Sequence, residues 1–265
     1  MAAIVKCALT MALIGGIVGI LGTGRPVQAE ALTIAASHSL KPAFQEIVPM
    51  FEKEYGVTVQ ALYGPSHTLR HQIEQGAPID VFLPESVEDI EKLEGKGLTI
   101  YGKPRIYAAS SLVLVMSAAS LATPISFHEA LPNRGTRIAL VDPKTSAVGA
   151  MTARVLHKIN PTFKAGSNFV FGEHTEDVVY FVDLGKADAG IVHRVDAIGN
   201  GRLRIIDEAP FEKQTSVQFG AAIVSTCREA SREAAQEYVD FMMSPRIQML
   251  LLKYGFDTTS GDRRS

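Results

Sequence analysis

Two turns of the chain bring hydroxyl groups to points where a strand gives way to a helix. Ser39 follows the apolar run at residues 32–36, and Ser66 follows Gly64-Pro65, which breaks the alternating run at residues 57–63. Ser66 stands where an N-cap would stand. Because the first backbone N–H groups of a helix are unpaired and lie at the positive end of its dipole, such a start favours an anion. A serine that only caps its helix is the structural alternative.

Histidines accompany these serines and allow a second kind of chemistry. His38 and His67 are each adjacent to one of the two serines, and His193 ends the apolar run at residues 189–192. Imidazole is a common ligand of divalent transition metals, so the three histidines could form a receptor for a metal or a metal chelate. The alternative is that His38 and His67 point aside while their backbone N–H groups bind the ligand.

A catalytic site built from Ser66, His193 and Asp80 is the third interpretation. The turn at residues 64–68 lacks the final glycine of a nucleophile elbow, and the sequence contains no phosphate-loop motif. Asp80 adjoins an apolar run, where a helix-capping or buried structural role is expected. We therefore expect the protein not to be an enzyme.

The elements that must position these residues alternate between strand and helix, which is typical of an α/β fold with parallel β-α-β units. Ligands of such folds bind at the carboxyl ends of the strands, where both serines fall. The predicted strands are residues 32–36, 57–63, 79–83, 105–109, 112–116, 137–141, 168–171, 189–192 and 218–224. The predicted helices are residues 40–55, 68–76, 87–95, 148–158, 176–184 and 228–254, with a break at Ser244-Pro245; Pro49 should kink the first helix or end it early.

The same order of elements occurs twice, which predicts two α/β lobes with a ligand cleft between them. We expect residues 30–112 to form the first part of lobe 1 and residues 113–193 to form lobe 2. Residues 194–256 should return and complete the lobes with C-terminal helices, and residues 257–265 should be a loose tail.

Residues 72–82, QIEQGAPIDVF, together with the Ser-Leu and Thr-Leu pairs of the two turns, resemble the periplasmic molybdate-binding proteins of ABC importers. The resemblance continues through Asp142-Pro143, Gly149, Glu176-Asp177-Val178, Gly190-Ile191-Val192 and Lys253-Tyr254-Gly255-Phe256, and so covers nearly the whole mature chain. It implies a type II-like two-lobe fold in which each lobe is a mixed sheet flanked by helices. It also implies molybdate or tungstate as the ligand, a membrane permease as the partner, and no cofactor. A monomer is expected.

The resemblance also implies which residues hold the anion. A serine from each first-lobe turn falls on Ser39 and Ser66, and second-lobe backbone N–H groups fall on Val148 and Val178. The family's tyrosine position holds His193, which departs from the pattern and leaves another oxyanion, such as sulfate, as an alternative. His38 and His67 are possible further contributors, and the anion would be bound without a metal cation.

A shell built only from hydrogen-bond donors selects its guest by charge and protonation. Serine hydroxyls and helix N–H groups stabilise a dianion without burying an opposing full charge. A protonated oxyanion would bring an O–H group that finds no acceptor in such a shell. Because an imidazolium adds positive charge, we expect His193 to strengthen oxyanion binding as the pH falls through its pKa, which a comparison with His193→Tyr would test.

Composition and the N-terminus set the cellular context. Lys6 precedes an apolar run at residues 8–21, and Val27-Gln28-Ala29 has the form of a cleavage site, so residues 1–29 are interpreted as a signal peptide leading to the periplasm. Without Lys6 and Arg25, the formal net charge of −2 becomes −4. This mild acidity argues against nucleic acid as a partner. Cys227 is the one cysteine of the mature sequence, which leaves neither a disulfide nor a cysteine metal cluster within the chain.

Overall fold

The computed structural model describes residues 31–123, 125–144, 146–198, 200–209 and 216–257. The predicted signal peptide and residues 258–265 of the predicted tail lie outside this part of the chain. The strands are β1 Leu32–Ser37, β2 Val59–Gly64, β3 Val81–Leu83, β4 Arg105–Ser110, β5 Leu112–Ser117, β6 Ile138–Val141, β7 Phe169–Gly172, β8 Ala189–His193, β9 Leu203–Glu208 and β10 Val217–Ile223. The helices are α1 Lys41–Tyr55, α2 Ser66–Glu74, α3 Val87–Glu94, α4 Phe127–Ala130, α5 Ala147–Ile159, α6 Thr175–Asp183, α7 Arg194–Ala197, α8 Arg232–Met242 and α9 Pro245–Lys253. Short 3-10 turns lie at His38–Leu40 and Glu229–Ser231.

Each lobe is built on one mixed five-stranded sheet, which confirms the predicted α/β fold. The first sheet has the order β2-β1-β3-β10-β4, in which β1 pairs in parallel with β2 and β3, and β10 is antiparallel to β3 and β4. The second has the order β7-β6-β8-β5-β9, in which β6 is parallel to β7 and β8, and β5 is antiparallel to β8 and β9. The parallel strands of both sheets follow from the β-α-β order of the sequence.

The carboxyl ends of the parallel strands gather the residues of interest. In lobe 1, β1 and β2 end in register at Ser37 and Gly64, directly before His38–Leu40 and α2. In lobe 2, β7 ends just before α6, and β8 ends at His193. Ligand sites of α/β sheets lie at these ends because the loops and helix starts that follow the strands are grouped there.

The apolar core of lobe 1 explains why α1 does not end early at Pro49, as the sequence had suggested. The buried residues Phe44 and Phe51 both pack on the ring of Tyr238 of α8, with ring centroids 6.5 Å and 4.9 Å apart. This packing spans both sides of Pro49, and it offsets the backbone hydrogen bond that a proline removes. The helix continues to Tyr55 and is followed by Gly56, whose φ of 68° lies in the left-handed region that glycine adopts readily.

The chain crosses between the lobes at Ser111 and again between Glu208 and Val217. The second crossing lies later than residue 194, where the sequence had placed the return, because β9 pairs with β5 and so belongs to the second sheet. The sequence had not predicted β9. Its charged residues, at an edge of the sheet, obscure the apolar alternation that marks the other strands.

Within the described part of the chain, no helix combines the length and the apolar character that crossing a membrane requires.

Candidate functional site

Three helix starts from the two lobes converge on one small cavity of about 20 Å³. The start of α2 comes from lobe 1, and the starts of α5 and α6 come from lobe 2. The cavity is lined by His38, Gly64, Pro65, Ser66, His67, Glu85, Asp89, Val141, Ser146, Val148, Glu173, His174, Thr175 and Glu176. Each helix contributes N–H groups without an intrahelical partner, and each directs the positive end of its dipole toward the lobe interface. The geometry is that of an anion site.

Ser66 lies at this cavity, but it does not cap α2. Pro65 holds the N-cap position, with φ −60° and ψ 134°, and Ser66 is the first residue of the helix. The Ser66 hydroxyl oxygen instead accepts a hydrogen bond from the backbone N–H of Glu85 at 2.9 Å. Because this contact uses only a lone pair, the hydroxyl proton remains available to a ligand.

Glu85, which the sequence analysis did not single out, lies at the centre of the contacts between the lobes. Its Oε1 accepts hydrogen bonds from Ser39 Oγ at 3.3 Å and from Thr175 Oγ1 at 3.1 Å. The same oxygen lies 3.2 Å from Nδ1 of His193. Ser39 belongs to lobe 1, whereas Thr175 and His193 belong to lobe 2. The carboxylate therefore holds the lobes together. It also contacts Ser39 and His193, two side chains that the resemblance assigns to a bound anion.

His193 is fully buried, and its charge is set by its acidic neighbours. Burial lowers the pKa of His193, but the hydrogen bond and negative charge of Glu85, with a contribution from Asp196, raise it above its ordinary value. Burial alone would raise the pKa of Glu85, but His193, Thr175 and Ser39 together hold it below its ordinary value. Both shifts favour an imidazolium beside a carboxylate. His193 contacts Glu85 and does not line the small cavity.

Asp196, the first acidic residue after His193, completes a compact cluster. Its Oδ2 lies 3.9 Å from His193 Nδ1. Burial, followed by the charge of Glu85, raises the pKa of Asp196 to about 7. One ligand atom from each of Glu85, His193 and Asp196 lies within 4.8 Å of the other two, so the cluster has the composition and spacing of a possible cation site.

The other two histidines of the predicted metal set have different partners. His38 Nδ1 lies 2.9 Å from Glu176 Oε1 across the cleft. His67 stacks on His174 with ring centroids 5.1 Å apart, and burial together with the charge of His174 lowers its pKa. Both His38 and His67 line the small cavity, but the structure does not bring them together with His193 as one ligand set.

The predicted backbone donors of lobe 2 fall in different places. Val148 is the second residue of α5 and lines the cavity, so its N–H has no intrahelical partner. Val178 is the fourth residue of α6, and its side chain is fully buried. The carbonyl of His174, directly before α6, accepts the N–H of Asp177 at 3.1 Å, and the N–H of Val178 stays a predicted donor. Thr175 and Glu176, the first two residues of the helix, line the cavity. The sequence signal for this start is Asp177, whose carboxylate accepts the N–H groups of the two residues before α6.

The three residues considered above as a catalytic site do not come together in the structure. Asp80 is fully buried and accepts hydrogen bonds from the Thr33 N–H at 2.8 Å and the Arg228 guanidinium at 2.6 Å. Ser66 contacts the Glu85 backbone, and His193 contacts the Glu85 carboxylate. Asp80 thus has the structural role that was expected for it.

A wider groove of about 960 Å³ opens beside the cluster. Asp196 and Ser39 line this groove, whereas Glu85 lines the small cavity, and Thr175 lines both. The cluster of Glu85, His193 and Asp196 therefore lies between the small cavity and the open groove.

Comparisons with known proteins place the chain in a family. Residues 32–257 match the family model of bacterial extracellular solute-binding proteins. The chain is 26% identical over 230 residues to the molybdate-binding protein ModA of Escherichia coli K12, which covers 85% of this chain and 88% of that protein. It is 28% identical over 231 residues to the molybdate-binding protein ModA of Azotobacter vinelandii, with 86% and 90% covered.

Solved structures share the two-lobe fold. The periplasmic molybdate-binding protein of Azotobacter vinelandii superposes with a TM-score of 0.70 at 22% identity, and it covers 85% of this chain and 98% of that one. The tungstate ABC transporter structure from Geobacter sulfurreducens gives a TM-score of 0.66 at 17% identity, with 85% and 99% covered. Because the family model spans most of the sequence, the chain belongs to the bacterial extracellular solute-binding protein family.

Proposed function

We propose that the protein is the substrate-binding component of an ABC importer and captures a small tetrahedral oxyanion between its lobes. The observation that supports this most directly is the convergence of the α2, α5 and α6 starts on one cavity. Molybdate and tungstate are the first candidate ligands, because relatives and structural neighbours carry these names.

The donors for the oxyanion come from both lobes. Lobe 1 supplies the Ser66 hydroxyl and the first N–H groups of α2, and lobe 2 supplies the N–H groups of Val148 and Thr175. Oriented dipoles stabilise an anion without the desolvation cost of burying an opposing full charge. Ser39 and His193 act one step away from the ligand, because both hold the Glu85 carboxylate.

Contacts across the cleft support closure by a hinge motion. The Glu85 to His193 pair and the Arg154 to Glu88 pair both join lobe 1 to lobe 2. The cavity lies between the lobes, so the lobes must separate for a ligand to enter. Ligand binding would then shift the population toward a closed form that contacts the permease.

The cellular setting follows from the proposed role. Removal of residues 1–29 as a signal peptide would release the protein into the periplasm, where it would act as a monomer and deliver the ligand to a membrane permease. Binding and release require neither catalysis nor a cofactor, so we propose that the protein is not an enzyme.

Calorimetric titration of the full mature chain with molybdate, tungstate, sulfate and phosphate tests the proposal. We expect micromolar or tighter binding of at least one of these anions. Ser66→Ala should weaken that binding about tenfold, because one hydrogen bond to a charged ligand is lost. Ser225→Ala, at an exposed serine, is the matched control and should bind as the unmodified chain does. Equal affinities in the two variants would remove Ser66 from the site.

A receptor for a divalent metal is the second candidate, and it is favoured by the cluster of Glu85, His193 and Asp196. Two carboxylates and one imidazole suit a transition-metal cation. Titration with zinc alone separates the candidates. A shift of the melting temperature with zinc and none with any oxyanion would replace the first proposal with the second.

A further inference from the structure

Glu85, His193 and Asp196 bring three side chains that commonly ligate cations from both lobes to one point. Glu85 follows β3 in lobe 1, whereas His193 ends β8 and Asp196 lies in α7 of lobe 2. Nδ1 of His193 lies 3.2 Å from Glu85 Oε1 and 3.9 Å from Asp196 Oδ2. A zinc ion with ligand distances of about 2.0–2.1 Å and tetrahedral angles places its ligand atoms about 3.4 Å apart. The observed distances lie close to that value.

His193 is fully buried, yet the protein does not satisfy its ring nitrogens. Among the residues that the structure describes, neither ring nitrogen has a hydrogen-bond partner of good geometry, and the same holds for Oδ2 of Asp196. Buried polar atoms without such partners are uncommon in proteins, and a bound ion is one physical explanation for them. This observation is independent of the spacing of the three side chains, and it also points to a cation.

The charges around the cluster favour a cation as well. The carboxylates of Glu85 and Asp196 face one imidazole, and Glu176 lines the same groove as Asp196. An imidazolium carries one positive charge, whereas a divalent cation carries two and is attracted by both carboxylates. Because Asp196 lines the wide groove, a cation can reach the cluster from solvent without passing through the oxyanion cavity.

The Glu85 carboxylate is held in a fixed orientation by two further side chains. Ser39 Oγ and Thr175 Oγ1 donate hydrogen bonds to its Oε1 at 3.3 Å and 3.1 Å. Ligating carboxylates of metal sites are oriented by hydrogen bonds of this kind, and these partners strengthen metal binding. The cluster therefore has support for its ligands as well as the ligands themselves.

We propose that Glu85, His193 and Asp196 form a site for a divalent transition-metal cation such as zinc, which binds together with the oxyanion, each ligand strengthening the binding of the other. The inference rests on the proposed oxyanion function for the second ligand. It differs from the metal-receptor candidate because the cation links the lobes and is not the transported solute. The cation replaces the proton on Nδ1 of His193, which passes to solvent, and a fourth position stays open to water from the groove.

The position of the cluster explains why the two ligands should cooperate. Glu85 lines the oxyanion cavity, and its partner Thr175 begins α6, one of the helices that converge on that cavity. A cation that joins Glu85 to His193 and Asp196 favours the closed arrangement of the lobes, as the oxyanion does, and its positive charge attracts the anion. Because coupling between two binding sites is reciprocal, each ligand should raise the affinity of the other by the same factor, at least about fivefold.

The test is calorimetric titration of the full mature chain with zinc chloride at about pH 7 in a buffer free of chelators. Titrations are carried out without an oxyanion and in the presence of molybdate or tungstate, whichever binds more tightly. The expected result is one zinc site of micromolar or tighter affinity that becomes at least about fivefold tighter when the oxyanion is present. The reverse titration, of oxyanion with and without zinc, should give the same factor.

Asp196→Asn removes one carboxylate and keeps the size of the side chain. It should weaken zinc binding at least about tenfold, while oxyanion binding without zinc stays as in the unmodified chain. Asp240→Asn, at an exposed aspartate of α8 that lines neither the groove nor the cavity, is the matched control and should bind zinc normally. Should Asp196→Asn fail to fold, the same comparison with His193→Gln decides.

The remaining outcomes separate this inference from the oxyanion function. If zinc binding persists in Asp196→Asn and is lost in His67→Gln, the cation binds at the stacked rings of His67 and His174, and the inference is wrong. If the unmodified chain binds an oxyanion but no zinc, or binds both without coupling, the inference is wrong while the oxyanion function stands. If it binds zinc and no oxyanion, the oxyanion function and the cooperation both fall.

Discussion

We predict that the buried ion pair between Glu85 and His193 couples the stability of the two lobes. The paired atoms lie 3.2 Å apart, and the side chains are 15% and 0% exposed. Removing one partner of a buried pair leaves an unpaired charge and costs about 3–5 kcal/mol. We expect Glu85→Gln or His193→Gln to lower the free energy of unfolding by about 3 kcal/mol. The double variant should lose less than the sum, because it leaves neither charge behind.

The assay is a double-mutant cycle from urea unfolding followed by circular dichroism at about pH 6, where the imidazolium and the carboxylate coexist. We expect a coupling energy of about 1–3 kcal/mol. The exposed pair of Arg105 and Asp240, with N and O atoms 3.1 Å apart, provides the matched control cycle and should show much weaker coupling. A coupling between Glu85 and His193 no larger than that of the exposed pair would refute the reasoning.

The pH dependence of this coupling has a defined sign. Because Glu85 raises the pKa of His193, the stabilisation is fully present below about pH 6.5, the ordinary histidine value, and is lost as the pH rises through the raised pKa. Because the pKa of Glu85 is lowered, the stabilisation is also lost as the pH falls below about 4.5. Asp196 acts in a different pH window: burial, followed by the charge of Glu85, raises its pKa from 3.8 to about 7, so its ionisation removes stability as the pH rises from about 3.8 to about 7 and not above. Coupling should therefore be clearly larger at about pH 5.5 than at about pH 9.

Three further predictions follow from individual positions. Gly149→Ala should weaken oxyanion binding in calorimetry, because a Cβ there would lie 2.4 Å from the backbone oxygen of Asp142 and would displace the start of α5; unchanged affinity would contradict this. Asp80→Asn should lower the free energy of unfolding by about 3–5 kcal/mol in urea, since it leaves Arg228 without its buried carboxylate partner; a loss below about 1 kcal/mol would contradict it. Cys227, whose thiol pKa is raised by burial and by Asp80 to about 12, should resist alkylation by iodoacetamide in the folded protein and react after unfolding in urea.

The sequence predicted the scaffold of the site better than its contacts. Strand ends and helix starts can be read from local patterns, and the helix start at Ser66 was found in this way. Val148 was assigned through the resemblance, and both residues line the cavity. Val178 was also assigned through the resemblance, and its N–H remains a prediction for the first turn of α6, which begins at Thr175. Asp177 marks this helix start in the sequence, because its carboxylate accepts the N–H groups of the two residues before the helix.

Glu85 could not have been found in the same way. Its partners Ser39, Thr175 and His193 are separated from it by 46, 90 and 108 residues, so no local pattern links them. Only the meeting of the two sheets at their carboxyl ends brings a carboxylate of lobe 1 against a histidine of lobe 2. The strand β9 was missed for a related reason, because its pairing with β5 in the second sheet is a tertiary property.

The contact between Glu85 and His193 also gives a physical reason for histidine at the position where the resembled family has tyrosine. A tyrosine hydroxyl could donate one hydrogen bond to Glu85 Oε1, but it would add no positive charge to the buried pair. An imidazolium whose Nδ1 lies 3.2 Å from Oε1 compensates the negative charge of the carboxylate, so Glu85 can remain ionised although burial opposes its charge. His193 therefore stabilises the carboxylate through which lobe 1 contacts lobe 2.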